Sequence, residues 1–386
     1  MSTTLITFIG RSKKPDNAEN GYPKTTYNIE GNIQEPSAFL GYNLNSYLKP
    51  DRIIILGTSG SMWDHLFEGD LDFEDKAVLE RVELSEAVNI HQVTQSMLDD
   101  IQGVLANKLG IETHLQLIKA GTTLEEQIEV VELMACHVKK GDHVHLDITH
   151  GLRHLPMIAL LAAMYLQNLR QASIEGIWYG AFELRTDDVT PVNNLLGLLK
   201  MADWLNAMSS YTNDGDYGIF SDLLGDEGKC LKEAAFYERI NNSSKAKQKL
   251  ETWTMKSDIS IDPVAKLFSD DLQQRIAWHR RSTRHDREKQ LAKEYLKRND
   301  YLRASILALE AKISEKLYID SLPDNLEQRD EASKSLRVSS DFKSLNSIRN
   351  ALAHGVRSAN EEINSLLSDE ERLKTELHKL FKSLQI

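Results

Sequence analysis

The sequence predicts an α/β domain of Rossmann-like character, a parallel sheet flanked by helices, followed by an all-α domain. Three observations predict this. Short apolar, β-prone runs alternate with helical patterns through the first half of the chain; the strand signal stops after Val192; and everything beyond it repeats at helical spacing. The 386 residues exceed one ordinary core, so two domains of roughly 200 residues each follow, placed at 1–205 and 206–386.

Leu5–Gly10 is a β-prone run ending in glycine, with Arg11 just past it, and Tyr22–Ile29 fits a strand or hairpin arm. Pro36–Leu48 reads as a helix, and the continuous apolar run Arg52–Gly57 as a strand buried in a parallel sheet. One long helix is expected from Ser85 to Leu109, then a strand at His114–Ile118. Thr122-Thr123-Leu124-Glu125 is a capping-box pattern, and the helix it opens carries Leu124, Ile128, Val131, Ala135 and Val138 on one face. A strand at His143–Ile148, a buried helix to Leu169 and a strand at Ile174–Phe182 complete the alternation, which implies right-handed crossovers. Leu195–Met208 is then amphipathic, and the polar stretch Asn213–Gly218 reads as a hinge. Leu302–Leu317 and Ala359–Leu384 are the clearest helices of the second half, the latter through Ile363, Leu366, Leu367, Leu373, Leu377 and Leu380.

With 41% hydrophobic and 27% charged residues, the composition is globular. Two distant cysteines, Cys136 and Cys230, offer neither a disulfide framework nor a zinc cluster and suit a reducing cytoplasm, with Cys136 read as core. The start lacks a basic region and a long apolar run, so no signal peptide is expected. The apolar run Pro156–Leu166 is too short to span a bilayer, so no membrane partner is expected. A net charge of −12 opposes indiscriminate coating of nucleic acid and confines any such contact to local patches.

Two strand-to-helix junctions carry ligand-binding chemistry. Gly57 is followed by Thr58, Ser59, Gly60, Ser61 and Met62, small residues that let backbone approach a ligand and hydroxyls that meet phosphate or ribose oxygens. The string is neither a dinucleotide fingerprint nor a P-loop. Asp147 leads into Thr149, His150, Gly151 and Arg153 where a strand turns into a helix, the place at which open α/β sheets bind anions. Each junction alone also fits an ordinary capped turn. His143, His145 and Asp147 share a strand face, and His150 and His154 stand four apart. Neither set gains a supporting group of acids or cysteines, and no metal site is expected.

In the second half, Arg275–Arg303 is rich in arginine and lysine, with Trp278 and Tyr301 interleaved. It fits either an RNA-facing patch or a solvated helix face paired with Asp286, Glu288 and Glu294. Near the end, Arg349-Asn350 is followed by His354-Gly355 within a helical pattern. The arginine offers a forked cation suited to phosphate, and the histidine a proton carrier near neutral pH. A capped helix end would look the same. At about 100° per residue, Arg349 and His354 lie roughly 140° apart on an ideal helix, while Asn350 and His354 share a face.

Assembled, these residues resemble the CRISPR-associated CARF–HEPN ribonucleases of the Csx and Csm type, ancillary effectors of type III CRISPR systems. The resemblance covers the whole chain: residues 1–205 are similar to a CARF domain, and 206–386 to a HEPN domain with the R-x-x-x-x-H signature in Arg349, Asn350 and His354. It implies a cytoplasmic homodimer, with higher oligomers open. One cyclic oligoadenylate from the interference complex, cyclic tetra-adenylate favoured, would bind across the dimer axis at Gly10, Arg11, Thr58–Met62, Asp147, Thr149–Gly151 and Arg153. Binding would activate cleavage of single-stranded RNA by 2′-hydroxyl attack, with no cofactor or metal required. Arg349 would stabilise phosphoryl charge, His354 move the proton, and Asn350 orient one of them. Three other readings stay open: a ligand-binding regulator without cleavage, ring cleavage of the ligand beside Thr58, Ser59, Thr149 or His150, and a metal-dependent phosphohydrolase using His143, His145 and His150.

Overall fold

The β-prone N-terminal run forms β1, Thr3–Ile9, and the apolar run after Pro50 forms β4, Arg52–Gly57. Their side chains alternate between two layers. Leu5, Ile9, Ile53 and Ile55 enter one buried cluster, whereas Ile6, Phe8, Ile54 and Leu56 enter another. Burial on both faces is why these strands read as unbroken apolar runs. The structure, a computed structural model, describes residues 1–11, 23–68, 70–256, 262–355 and 361–386. Its contacts divide the chain into two compact units, Met1–Leu199 and Lys200–Ile386.

The first unit also holds β2 (Thr26–Ile29), β3 (Asn32–Ile33), α1 (Leu40–Leu48), α2 (Val78–Asn89), α3 (Gln95–Leu109), β5 (Glu112–Leu117), α4 (Leu124–Cys136), β6 (His143–Asp147), α5 (Leu155–Leu169), β7 (Ser173–Gly180) and β8 (Val189–Asn194). The eight strands lie in the order β3-β2-β8-β7-β6-β1-β4-β5. From β7 to β5 all pairings are parallel, while β7/β8 and β2/β3 are antiparallel. Helices α1 to α3 cover one face, and α4 and α5 the other.

Several expectations shift. The single helix over Ser85–Leu109 is two, because His91 takes a left-handed φ of 58° and the Thr94 hydroxyl caps Met97 N–H to start α3. The capping box sits one residue later than expected: Thr123 caps Glu126 N–H, and Glu126 returns to Thr122 N–H at 2.8 Å. The buried side of α4 is Val130, Met134 and Ala135, so Leu124 and Ile128 are exposed rather than core. Cys136 is likewise exposed, not core. Strand β8 escapes notice because Pro191 cannot donate to a ladder; its pairing with β7 begins just beyond, at Val192. Tyr22, the start of the predicted arm, lies outside the described residues.

Helix α6 (Leu196–Asp214) runs through the boundary between the units. The second unit continues with α7 (Ser221–Leu224), α8 (Lys229–Arg239), α9 (Ser243–Lys256), α10 (Pro263–Arg275), α11 (Arg284–Lys297), α12 (Tyr301–Ile319), α13 (Leu326–Leu336), α14 (Ser340–Ala353), α15 (Glu361–Leu367) and α16 (Glu370–Ser383). The expected helix over Ala359–Leu384 breaks at Ser368–Asp369, where the Asp369 carboxylate accepts from Arg372 N–H and caps a new helix; Ala359 and Asn360 lie outside the described residues. Trp204, Phe220, Trp253, Leu272, Tyr295 and Leu377 belong to one continuous core. Among the described residues no helix is long and apolar enough to cross a membrane.

Candidate functional site

The parallel part of the sheet places β1 between β4 and β6. After β1 the chain forms β2 and β3 at the far edge, comes back to lay β4 and β5 on one side of β1, then crosses to the other side for β6 and β7. That reversal opens a crevice at the carboxyl ends of β1, β4 and β6, the position where open α/β sheets take ligands. Both junctions singled out from the sequence meet there, together with Gly10 and Arg11.

The meeting is tight. A Cβ on Gly10 would stand 2.5 Å from Gly151 N and 2.6 Å from its Cα, so the two backbones touch. Gly151 itself has a φ of +111°, a conformation that side-chain-bearing residues rarely adopt. On the other flank, Met62 N–H donates to Gly10 O at 2.9 Å, and Ser61 Oγ donates to Ile9 O at 2.8 Å. Ser61 Oγ also accepts from Thr58 N–H at 2.9 Å and lies 3.2 Å from Thr58 Oγ1. Ser61 and Met62 are buried, leaving Thr58, Ser59 and Gly60 half-buried at the surface of the loop.

Beneath the second junction, Asp147 is fully buried; its carboxylate accepts from the Thr7 hydroxyl at 2.7 Å and Thr149 N–H at 3.0 Å. Burial raises its pKa, and those hydrogen bonds only partly oppose the shift. Thr149 Oγ1 accepts from Gly180 N–H at 2.8 Å. Asp147 and Thr149 therefore shape the turn. Thr7 is a member that sequence reading missed; its only signal is period-two placement opposite a buried acid.

The Arg11 guanidinium stands 2.8 Å from His91 Nε2 and 3.4 Å from Val88 O. His91 also covers the other loop, since a Cβ on Gly60 would lie 2.7 Å from its Nδ1. His91 was not foreseen, because it belongs to the helix break that the expected single helix concealed. Arg153 is exposed.

The two histidines four apart diverge. His154 Nε2 lies 2.6 Å from Ala120 O, whereas His150 packs on the Phe39 ring and its Nε2 accepts from Leu40 N–H at 3.4 Å. His143 pairs with Glu175 at 2.7 Å, and His145 receives the Trp178 indole N–H at 3.3 Å. Among the described residues no group of three His, Cys, Asp or Glu side chains could hold a metal ion.

Burial, with a smaller push from His65, lowers the His150 pKa from 6.5 to about 4. The unfolded chain therefore takes up this proton first as pH falls. His150 contributes stability that is fully present above pH 6.5 and is lost toward pH 4, up to about 3 kcal/mol. Unfolding free energies from denaturant titrations, plotted against pH for the parent and His150→Gln, are expected to diverge in slope only within that window; parallel plots there would contradict it.

In the second unit, Asn350 opens the last turn of α14, Arg349 immediately precedes it, and His354 is the exposed residue that ends the helix before Gly355, whose φ is +68°. Arg349 Nη2 donates back to Asn346 Oδ1 at 3.0 Å, and its buried Nε has no hydrogen-bond partner among the described residues. Asn350 is exposed. Arg349 thus turns toward the start of the helix while His354 follows its end.

Residues 4–183 match the family model described as the CARF domain of the CRISPR system endoribonuclease Csx1. A curated relative, the CRISPR-associated protein MJ1674 of Methanocaldococcus jannaschii, is 28% identical over 232 residues, 55% of this chain and 36% of that protein. The chain thus spans about a third of the length of the curated relative it matches. Over the residues of its sheet unit the chain is thus similar to a Csx1-type CARF domain.

Proposed function

We propose that the chain is an ancillary ribonuclease of type III CRISPR defence, cytoplasmic and homodimeric. In this reading the sheet unit senses cyclic oligoadenylate, and the helical unit, read as a HEPN domain, cleaves single-stranded RNA. The observation that carries the reading is the contact of Gly10 with Gly151 between two hydroxyl-bearing loops at the switch point of a CARF-like sheet. Backbone packed that closely leaves N–H groups and small side chains at the rim, suited to phosphates and riboses. Arg11 adds a fixed cation, with His91 setting its position.

A cyclic ligand with even symmetry fits a pocket made twice over by a two-fold axis. Exposed apolar pairs one turn apart on the packed helices α4 and α5, Leu124 with Ile128 and Met157 with Leu161, support such pairing. Ligand binding would bias the dimer toward a competent helical site.

In that site an RNA 2′-oxygen bonds to the adjacent phosphorus as the P–O5′ bond breaks, giving a cyclic phosphate and a free 5′-hydroxyl. His354 takes the 2′ proton or supplies the 5′ proton, and Arg349 offsets charge on the phosphoryl oxygens. Asn350 orients RNA or the imidazole. The divergence of Arg349 and His354 within one chain favours a site that combines Arg349 with His354 of the partner subunit.

The test is RNA cleavage in EDTA with cyclic tri-, tetra- and hexa-adenylate added in turn. Stimulation by one ring, cyclic tetra-adenylate by expectation, supports the reading. Cleavage that stops with the chelator, or that no ring stimulates, overturns it. A second reading, ring cleavage of the bound ligand beside Thr58, Ser59, Thr149 or His150, would show as loss of the added ring during the same assay.

A further inference from the structure

Part of the basic run in the second unit is paired internally. Arg284 pairs with Glu288 and Asp324, Lys289 with Glu315, and Arg303 with Asp300. One part is not neutralised. A groove of about 590 Å³ is bordered by the end of α10, the turn Ala277–Arg280 and α11, and into it come Arg275, Arg280, Arg281, Lys297 and Arg298 against only Asp271 and Glu294. The nearest carboxylate contacts there are weak, 3.8 Å from Lys297 and 3.9 Å from Arg298 to Glu294.

Two of the lining arginines share one buried phenol. Arg275 and Arg298 each lie 4.9 Å from the centre of the Tyr211 ring. Tyr211 O–H donates to Arg275 O at 3.1 Å and accepts from Arg298 Nη2 at 3.1 Å. Two guanidinium groups are thus held close on one ring, with Thr212 Oγ1 holding Arg275 at 3.1 Å. Glu294 at 3.9 Å and the buried Glu238 answer Arg298 in part, but the groove keeps five cationic side chains against two acids on its lining, a balance that favours a bound anion. Fixed guanidinium forks suit phosphate oxygens, and the Gln274 and Gln290 amides beside them suit sugar or base edges.

We propose that this groove binds the phosphate backbone of single-stranded RNA, as a site separate from Arg349 and His354. The choice of RNA rests on the ribonuclease reading; the anion-binding chemistry does not. In a chain of net charge −12, such a local patch is what would guide a polyanion.

The experiment is fluorescence anisotropy of a labelled oligouridylate with the full chain carrying His354→Ala, followed across a salt titration. Adding Arg280→Gln, Arg281→Gln and Lys297→Gln, all exposed positions, is expected to weaken binding at least tenfold. The slope of log affinity against log salt should fall by about 2, with thermal unfolding unchanged. Affinity and slope equal to the parent's overturn the proposal. So does competition by a free nucleoside triphosphate as strong, per phosphate, as competition by RNA. If the unsubstituted chain never cleaves RNA yet binding follows this pattern, the ribonuclease reading fails and the groove stands. If it cleaves and the triple variant binds unchanged, the groove fails alone.

Discussion

Replacing His354 by alanine is expected to lower RNA cleavage by about a thousandfold or more, the range a positioned proton carrier supplies, with the fold intact. The side chain is exposed past the end of α14 and buries no apolar surface, so its loss leaves the core as it was. Arg349→Ala is expected to match it, and Arg349→Lys to restore little, because lysine keeps the charge but not the fork that addresses two phosphoryl oxygens. Cyclic oligoadenylate binding should be unchanged in all three. The composite site makes a stricter demand. Mixing Arg349→Ala with His354→Ala chains allows one complete site in each mixed dimer, so random pairing should recover about a quarter of parental activity. No recovery on mixing would place both residues of a site in one chain. Cleavage that survives His354→Ala would remove the helical unit from the chemistry.

Gly10→Ala is the counterpart test of the sheet unit. The new methyl would stand 2.5 Å from Gly151 N, and backbone on backbone cannot yield as a flexible side chain would. Overpacking of this kind costs about 1–3 kcal/mol, and thermal unfolding of the sheet unit should report it. The same displacement opens the junction between β1 and β6, so affinity for cyclic tetra-adenylate should fall about a hundredfold, equivalent to about 3 kcal/mol. Gly103→Ala in α3 is the control: nothing lies within 4 Å of its new Cβ, and an added helix former should raise stability by up to about 1 kcal/mol. Calorimetric titration at a temperature where all variants are folded separates the effects. Unchanged affinity in Gly10→Ala would move the ligand away from this junction.

Much of this architecture could be read from residue types because the cause was local. Apolar alternation on both faces marked β1 and β4, and a glycine at each strand end marked the turns. Where the cause was not local, reading failed. A φ of 58° at His91 split one expected helix, Asp369 split another, and Pro191 hid a strand whose pairing with β7 begins at the next residue. Leu124 and Ile128 carried the right spacing for a buried face, yet packing chose Val130 and Met134 instead.

The sequence by itself determined which chemistries were available: hydroxyl-rich and glycine-rich strand ends, one Arg-Asn-x-x-x-His string, and a basic run in an acidic chain. Tertiary structure decided which of these meet. It set Gly10 against Gly151, buried Asp147 under Thr7 and Thr149, and brought His91 from a helix break to Arg11. It also paired Arg284, Lys289 and Arg303 with acids while stacking Arg275 and Arg298 on Tyr211. The reason is physical. Residue type and spacing set propensity along a chain, but contact between strand ends some fifty and a hundred and forty residues apart depends on sheet order, which only the folded chain defines.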